Sequence, residues 1–353
     1  MFAYILHHIR QKLKPSLKNF WWKSGENRSI IGSEKPFRKG NETLKYGFGA
    51  DVGGTTVKLG LFDENGTLLE QRELPTRTEN GGAAILPDVA AAVKALSAER
   101  GLSEADLLGI GIGVPGPVND EGVVNRCVNL NWGVFNICRT LGELTGLPVR
   151  AGNDANCAAL GEYWRGGGMG CRSVVFVTLG TGIGGGIILN GKILGGAHGV
   201  GGELGHITVS APDKHPCTCG KRGCVEQYAS ANGIARMAAE RLASCQTPSA
   251  LRALDKVTCK DVFDAAKRGD ELALASLEQS LDYLGEALAD ACCICDPERI
   301  ILGGGVSKAG EYLLERVQAH FVKYMFHACK GTEFALATLG NDAGMYGAFR
   351  QLL

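Results

Sequence analysis

The stretch from residue 46 to residue 74 reads YGFGADVGGTTVKLGLFDENGTLLEQREL. Three apolar or alternating segments, at 46–50, 56–63 and 67–74, are separated by Gly53-Gly54 and by Asn65-Gly66. Such pairs favour tight hairpin turns, because glycine and asparagine tolerate the backbone angles that these turns require. The stretch therefore predicts three consecutive antiparallel strands.

A similar order of segments occurs again later in the chain. After the three strands, the pattern predicts helices over 83–100 and 155–164 and strands over 107–114 and 147–151. The second series predicts strands at 173–179, 187–189, 299–302 and 334–337, a glycine loop at 180–186, mostly helix over 231–291, and helices at 306–324 and 342–353. Alternating strands and helices predict the α/β class, with mixed sheets in two similar halves. A cleft between two halves is a common place for a ligand.

The chain divides into an extension and a globular body. We expect a small α/β domain over 46–165, joined by the C-terminal helix 341–353, and a large α/β domain over 166–340. Residues 1–45 carry ten Lys and Arg against three Asp and Glu, which leaves 27 against 34 in the body. A body this acidic gives no support for nucleic-acid binding. The extension is interpreted in two ways: a basic amphipathic helix over 5–22 that meets a membrane or partner, or a disordered or accessory segment.

The composition favours a cytoplasmic protein. Its hydrophobic content of 45% and charged content of 21% are ordinary for globular proteins. We find no cleavable signal sequence and no apolar run of the roughly 18 residues that a membrane span needs. The cysteines of Cys292-Cys293-Ile294-Cys295 lie in an apolar helical pattern, where cysteine behaves as a small hydrophobic residue.

Three cysteines and one histidine fall within nineteen residues. They are His206, Cys217, Cys219 and Cys224. Three thiolates and one imidazole make a closed tetrahedral set for Zn²⁺, without an open position for catalysis. The spacing predicts a structural zinc ion that braces this loop, and the alternative is a set of free thiols.

Two glycine-rich hairpins suit a phosphate ligand. The first is Asp51-Val52-Gly53-Gly54-Thr55-Thr56, and the second includes Gly180, Thr181 and Gly182. Free backbone N–H groups and threonine hydroxyls donate hydrogen bonds to phosphate oxygens, and Asp51 could hold a Mg²⁺-bound water. A third glycine loop, with Gly304 and Gly305, would suit an adenosine. An ordinary tight turn is the alternative for the first hairpin.

Asn153-Asp154 lies at a junction between a strand and a helix. A carboxylate at such a junction caps the helix or acts as a general base. Its combination with two phosphate-binding loops favours the base.

In their order along the chain, these motifs resemble those of ROK-family sugar kinases. The resemblance rests on Asp51 to Thr55, Asn153-Asp154, the loop 180–186, Glu203 with His206, and Cys-x-Cys-Gly-x-x-Gly-Cys-x-Glu at 217–226. It covers about residues 46–353. It implies a two-lobed fold of the hexokinase–actin (ribonuclease H-like) superfamily, with duplicated α/β domains and a cleft between them.

The resemblance also implies a role for each matching residue. Asp154 would be the base for the sugar's 6-hydroxyl, and His206 would be the fourth zinc ligand beside the three cysteines. The sugar would contact Gly116, Asn153, Asp154, Glu203, His206 and Glu226. ATP with Mg²⁺ would contact Asp51, Gly53, Gly54, Thr55, Thr56, Gly180, Thr181, Gly182, Gly304 and Gly305.

The implied activity is ATP-dependent phosphorylation of a hexose, most similar to that of the family's glucokinases. The alternatives within the family are an N-acetylmannosamine or N-acetylglucosamine kinase and a fructokinase. A sugar-sensing transcriptional repressor is the alternative from another class, but residues 1–45 lack the apolar-periodic helices of a winged-helix domain. We expect a homodimer or homotetramer. The sequence leaves the phosphate donor open between ATP, another nucleotide and polyphosphate.

Overall fold

The structure is a computed structural model that describes residues 44–353. The basic extension, including the helix predicted over 5–22, lies outside these residues except for Leu44 and Lys45. The strands are β1 Tyr46–Val52, β2 Thr56–Asp63, β3 Leu68–Pro75, β4 Leu107–Val114, β5 Val123–Val124, β6 Phe135–Asn136, β7 Val149–Asn153, β8 Val174–Leu179, β9 Ile183–Leu189, β10 Lys192–Ile193, β11 Arg299–Gly303 and β12 Glu333–Leu336. The helices are α1 Glu79–Gly82, α2 Ile85–Glu99, α3 Ile137–Thr145, α4 Asp154–Arg165, α5 Glu226–Ala229, α6 Ala231–Ser244, α7 Cys259–Lys267, α8 Glu271–Cys295, α9 Glu311–Tyr324 and α10 Ala343–Arg350.

Two five-stranded mixed sheets form the framework. The first has the order β3-β2-β1-β4-β7 and the second the order β10-β9-β8-β11-β12. In each sheet two consecutive strands form an antiparallel hairpin, β1 with β2 and β8 with β9. The first strand of each hairpin also pairs in parallel with a later strand, β1 with β4 and β8 with β11. The internal repeat read from the sequence is therefore present in the topology.

Each sheet contributes to its own hydrophobic core. The first core joins β1, β2 and β4 to α2 and α3, and the second joins β8, β9 and β11 to α6, α7, α8 and α9. Helix α4 packs against β8 and β9 of the second sheet, and it also packs against α10, which covers β1. This helix, which begins at Asp154, thus contacts elements of both halves.

The structure corrects two element predictions. Gly184, Gly185 and Gly186 belong to strand β9, which begins at Ile183, so the loop of the second hairpin is confined to 180–182. Glycine is required inside this strand because α4 lies on it: a Cβ on Gly186 would come within 2.5 Å of the Ala159 side chain. The helix predicted over 306–324 is interrupted at Gly310, where φ is +71°, and only α9 beyond it is α-helical. Within residues 44–353, no helix has both the length and the apolar character to cross a membrane.

Candidate active site

The first glycine hairpin presents free donors at an edge of the first sheet. The N–H of Gly53 donates to the Thr56 carbonyl at 3.0 Å, and the Thr76 hydroxyl donates to the Gly53 carbonyl at 2.8 Å. The N–H groups of Gly54 and Thr55 have no acceptor among residues 44–353. The loop is thus fixed by its neighbours while two exposed N–H groups stay available for an anion.

Asp51, near the end of β1, carries a carboxylate that receives no hydrogen bond from residues 44–353. Burial and the neighbouring charge of Asp154 raise its pKa to about 7, against the smaller opposing effect of Lys58. Gly344 at the start of α10 leaves room for this side chain, because a Cβ there would overlap the carboxylate. A partly buried carboxylate without a protein donor is suited to the water shell of a hard cation such as Mg²⁺.

The second glycine hairpin carries no charge of its own. The N–H of Gly180 donates to the Gly182 carbonyl at 2.9 Å, and Ile183 N–H donates to Glu226 Oε2 at 3.0 Å. Gly304 lies against this hairpin with φ at +81°, and a Cβ there would come within 2.5 Å of the Leu179 carbonyl oxygen. Glycine alone allows this approach of the third loop to the second hairpin.

The junction of β7 and α4 shows which residue caps the helix, a question that the sequence left open. Asn153 is the N-cap, and its Oδ1 accepts from Asn156 N–H at 3.1 Å. Its Nδ2 donates to the Gly116 carbonyl at 3.2 Å, which links it to the loop after β4. Asp154 is therefore not needed as the cap, although its Oδ1 accepts from Ala155 N–H at 2.8 Å.

Burial and neighbouring charges act on the carboxyl group of Asp154. Burial raises the pKa of its carboxyl, the hydrogen bond from Ala155 N–H lowers it, and the charge of Glu203 raises it again. The outcome is a pKa above the ordinary value for aspartate. Raised pKa values of this origin are frequent at catalytic carboxylates, and also occur at structural ones.

The four predicted zinc ligands lie together. The ligand atoms of His206, Cys217, Cys219 and Cys224 all lie within 4.8 Å of one another. Cys217 Sγ is 3.7 Å from His206 Nδ1, and Cys219 Sγ is 3.6 Å from Cys224 Sγ. Ligand bonds of about 2.0–2.3 Å in a tetrahedron give edges of about 3.3–3.8 Å. These two distances are close to such edges and the others stay within 4.8 Å, so the four side chains could hold a metal ion.

Glu226 connects this group to the second hairpin. One of its carboxylate oxygens accepts from Ile183 N–H, and the other lies 4.0 Å from Cys217 Sγ. Lys221 Nζ donates to the His206 carbonyl at 2.8 Å, which adds a further tie between the loop and the short 3₁₀ turn Leu204–His206.

Two cavities adjoin these elements. A cavity of about 760 Å³ is lined at one side by Asp51, Gly53, Thr55 and Thr56, and at another by Gly304 and Gly305. A cavity of about 570 Å³ is lined by Gly180, Thr181, Gly305, the start of α6 and one side of α7. Gly305 and Lys308 line both cavities, so the two spaces adjoin.

The predicted residues thus fall into contiguous groups. The structure brings the glycine loops around the two cavities, pairs Asn153 with Gly116, places Glu203 near Asp154, and gathers the zinc ligands beside Glu226. Two predicted nucleotide-site residues, Gly54 and Gly182, line neither cavity. Gly54 lies exposed at the tip of the first hairpin, and Gly182 packs against the Glu226 carboxylate.

Sequence reasoning missed Lys58, Asp342 and the α7 wall with Phe263. A signal for Lys58 was present, since a hairpin that turns at 53–56 places residue 58 opposite Asp51. The sequence carried no such signal for the other two.

Residues 47–352 match the ROK family. The chain is 45% identical to the glucokinase of Halalkalibacterium halodurans over 304 residues, which cover 85% of this chain and 92% of the relative. It is 38% identical to the glucokinase of Thermotoga maritima over 306 residues, which cover 85% and 95% of the two chains. The chain therefore belongs to the ROK family.

Solved structures agree with this assignment. A ROK family glucokinase from Streptomyces griseus, in complex with glucose and AMPPNP, is 34% identical with a TM-score of 0.68 and covers 87% of this chain and 98% of its own. A ROK hexokinase from Thermus thermophilus is 34% identical with a TM-score of 0.73, covering 86% and 96% of the two chains. The predicted two-lobed α/β fold of the hexokinase–actin superfamily is confirmed.

Proposed function

We propose that this protein phosphorylates glucose at its 6-hydroxyl, with ATP as the phosphate donor. The observation that carries the proposal is the 45% identity to a glucokinase over 85% of the chain. It is supported by the raised pKa of Asp154 and by the influence of its charge on Asp51, which lines the larger cavity. The S. griseus relative binds glucose and AMPPNP together, which supports the same pair of ligands here.

Asp154 is the proposed general base. It accepts the proton of the 6-hydroxyl as that oxygen attacks the γ-phosphorus of ATP. The bond between this phosphorus and the oxygen that bridges to the β-phosphate breaks, and ADP leaves. Because Asn153 caps α4, the Asp154 side chain is not committed to the helix end. Phosphoryl transfer depends mainly on positioning and charge, and a general base adds about 10²–10⁴-fold.

The proposed sugar site is formed around the start of α4. Asn153, Glu203, His206 and Glu226 hydrogen-bond the hydroxyls, and Gly116 contributes its backbone. The Asn153 amide is already engaged at both ends, by Asn156 N–H and by the Gly116 carbonyl. Its role is therefore mainly to fix the Gly116 loop, with the remaining lone pair and N–H left for the sugar.

The proposed nucleotide site uses the three glycine loops. Thr55, Thr56 and the free N–H groups of the first hairpin meet the phosphates, Thr181 and Gly182 extend this cradle, and Gly304 and Gly305 meet the adenosine. Asp51 would hold Mg²⁺ through a bound water, because its carboxylate has no donor among residues 44–353. When bound, the ion would neutralise charge on the phosphates.

The proposed zinc ion is structural and is held by His206 Nδ1, Cys217, Cys219 and Cys224. The distances between the ligand atoms support it. If Nδ1 is the ligand, Nε2 of the same ring is left for a sugar hydroxyl. The metal would thereby couple the cysteine loop to the sugar site.

The substrate is tested by a coupled ADP-release assay with Mg²⁺-ATP on glucose, mannose, fructose, N-acetylglucosamine and N-acetylmannosamine. We expect the highest kcat/KM on glucose. A preference for an N-acetylated sugar would overturn the substrate, and such kinases do occur among relatives at 32–33% identity. Replacing ATP with polyphosphate tests the donor in the same assay.

A sugar-sensing repressor is the second candidate. A ROK family transcriptional regulator is 26% identical with a TM-score of 0.76, and this chain covers 78% of its length. Folded, zinc-replete protein without turnover on any of the five sugars would favour this candidate over the kinase.

We further propose a cytoplasmic homodimer or homotetramer. All thirteen cysteines are free, which suits a reducing compartment. Exposed apolar side chains at the ends of two neighbouring helices, Ile294 in the last turn of α8 and Phe326 just after α9, would suit a subunit contact. Light scattering coupled to size-exclusion chromatography measures the assembly, and a monomer at micromolar concentration would contradict it.

A further inference from the structure

Glu162, in the last turn of α4, is a buried carboxylate that the proposed reaction does not use. The residue is 0% exposed. Among residues 44–353, its hydrogen-bond donors are three main-chain N–H groups. Burial of a carboxylate is costly, and hydrogen bonds from several donors offset that cost. The carboxylate therefore holds segments of the main chain in place.

The three donors belong to the two segments through which the chain passes between the halves. The first crossing segment, residues 166–173, joins α4 to β8, and the second, residues 337–342, joins β12 to α10. Gly167 N–H donates to Glu162 Oε2 at 2.9 Å, and Thr338 N–H donates to the same oxygen at 3.0 Å. Leu339 N–H donates to Oε1 at 2.8 Å. One side chain thus ties both crossing segments together.

Glycines make room for this contact. A Cβ on Gly166 would lie 1.9 Å from Glu162 Oε2, so a side chain directly after the helix would displace the carboxylate. A Cβ on Gly161 would lie 2.1 Å from the Ala343 carbonyl oxygen, which shows how closely α4 and α10 approach each other. This close packing brings Glu162 within reach of the second crossing segment.

The tied segments adjoin both parts of the proposed site. Thr338, in the second crossing segment, lines the larger cavity. Asp154, the proposed base, lies eight residues before Glu162 on the same helix, which is about 12 Å along its axis. The position of the base relative to the cavity wall therefore depends on how α4 is held against the second crossing segment.

We propose that Glu162 is a positioning residue that clamps the two crossing segments and thereby sets the orientation of Asp154 relative to the nucleotide cavity. It touches neither ligand. Movement of two halves around a ligand concentrates backbone rotation in a few connecting residues, and a shared carboxylate makes rotations in the two segments concerted. The effect on catalysis rests on the proposed kinase function, whereas the clamp itself does not.

The test uses two variants of the clamp and one control. Glu162→Gln keeps the shape but replaces one acceptor oxygen with a donor, so it cannot accept all three hydrogen bonds. Gly166→Ala keeps the carboxylate but pushes it aside. Val317→Ala, in the buried core under α9 and away from both crossing segments, is the control for general loss of stability.

Three quantities are measured for each variant beside the melting temperature. They are the amide hydrogen exchange of peptides that cover 166–168 and 337–342, the kcat and KM for glucose with Mg²⁺-ATP, and the dissociation constant for glucose without nucleotide. Exchange reports on the clamp directly, because the three donors are main-chain amides.

We expect Glu162→Gln to speed exchange in both crossing segments about 10-fold or more, the range of a hydrogen bond to a charged group. The kcat should fall about 10-fold, because the base is less often aligned with the nucleotide. The dissociation constant for glucose should change less than about threefold, since the proposed sugar contacts lie at the other end of α4. Gly166→Ala should show the same pattern, and it decides the test if Glu162→Gln does not fold. Val317→Ala should leave both the exchange of the crossing segments and kcat unchanged.

Unchanged exchange in either crossing segment of a folded clamp variant would overturn the clamp. Faster exchange with an unchanged kcat would overturn the positioning role. An equal fall in kcat for Val317→Ala at an equal loss of melting temperature would overturn it too, because general stability would then explain the effect. Wild type that phosphorylates none of the sugars would overturn the proposed function and with it the positioning role, while the exchange result would still decide the clamp.

Discussion

The two glycine hairpins have the same topology but different chemistry. The comparison concerns the second cross-strand pair counted from the turn of each hairpin. In the first hairpin this pair is Asp51 with Lys58, and in the second it is Thr178 with Gly184. A Cβ on Gly184 would lie 2.9 Å from the Thr178 side chain and 3.4 Å from the Ala155 side chain. The first hairpin therefore supplies charge to the larger cavity, and the second supplies the space that lets the start of α4 approach.

This comparison explains why a duplicated framework gives an asymmetric site. Asp51 and Lys58 lie on the first sheet. The proposed general base, Asp154, begins the helix α4 that packs on the second sheet. Each half is incomplete alone, because α4 begins on the first sheet and lies on the second. The following predictions test that division.

The largest effect is expected for Asp154→Ala. Removal of the base should lower kcat by about 10²–10⁴-fold, while the fold persists because Asn153 caps the helix. Steady-state kinetics with glucose and circular dichroism measure the two effects. Turnover close to wild type would remove Asp154 from the proposed role.

Next in size is Cys219→Ser, which acts beside the second hairpin. Loss of one thiolate should abolish the proposed zinc site and weaken glucose binding about 10-fold or more, because His206 and Glu226 then lose their support. Elemental analysis and glucose titration measure these changes. Cys293→Ser, at an exposed cysteine away from the cluster, is the matched control. A normal zinc content in the first variant would count against the site.

Gly184→Ala tests the space that the second hairpin provides. The added methyl group should push the start of α4 away from β9, lower kcat about 10-fold, and cost about 1–3 kcal/mol of unfolding free energy. Kinetics and urea denaturation check both quantities. Gly133→Ala is the control, since nothing lies within 4 Å of a Cβ at that exposed position, which has no role in the proposed site. If both variants behaved alike, the packing argument would fail.

The smallest effect is expected for the stability of Asp51→Asn. The pKa of Asp51 is raised from 3.8 to about 7, so the native state of the wild type binds this proton more tightly than the unfolded state. The wild type should therefore lose stability as pH rises from about 4 to about 7, and the variant should lack this loss. We expect the variant to be more stable by about 1–3 kcal/mol at pH 8 without Mg²⁺, and similar to wild type near pH 4.

Urea denaturation at the two pH values measures the difference. A stability difference that does not change with pH would show that Asp51 does not titrate as described. Asp63→Asn, at the other end of the same hairpin, indicates how much of the effect is general to the sheet.

Much of the site was predictable because its local part is encoded by neighbouring residues. The Gly53-Gly54 turn fixes which residues of β1 and β2 face each other, and the strand-to-helix junction places Asn153-Asp154 at a helix start. The spacing of the cysteines with an upstream histidine predicted which four side chains would lie together as candidate metal ligands.

Other features depended on contacts between distant segments. Asn153, rather than Asp154, caps the helix: its Nδ2 donates to the carbonyl of the distant Gly116, and its Oδ1 accepts from Asn156 N–H. The extension of β9 through Gly184 depends on α4 packing over it, and a glycine triplet by itself favours a loop. The α7 wall of the smaller cavity comes from a segment whose sequence indicates only an amphipathic helix.

The sequence by itself determined the two hairpins, the order of the motifs and the family, because turns, caps and metal spacing act over a few residues. Only the tertiary structure decided that Lys58 pairs with Asp342, 284 positions away, and that Gly344 of the C-terminal helix lies against the Asp51 carboxylate. Such pairings are set by how whole elements pack. Local propensity does not specify the partner of a charged side chain across the chain.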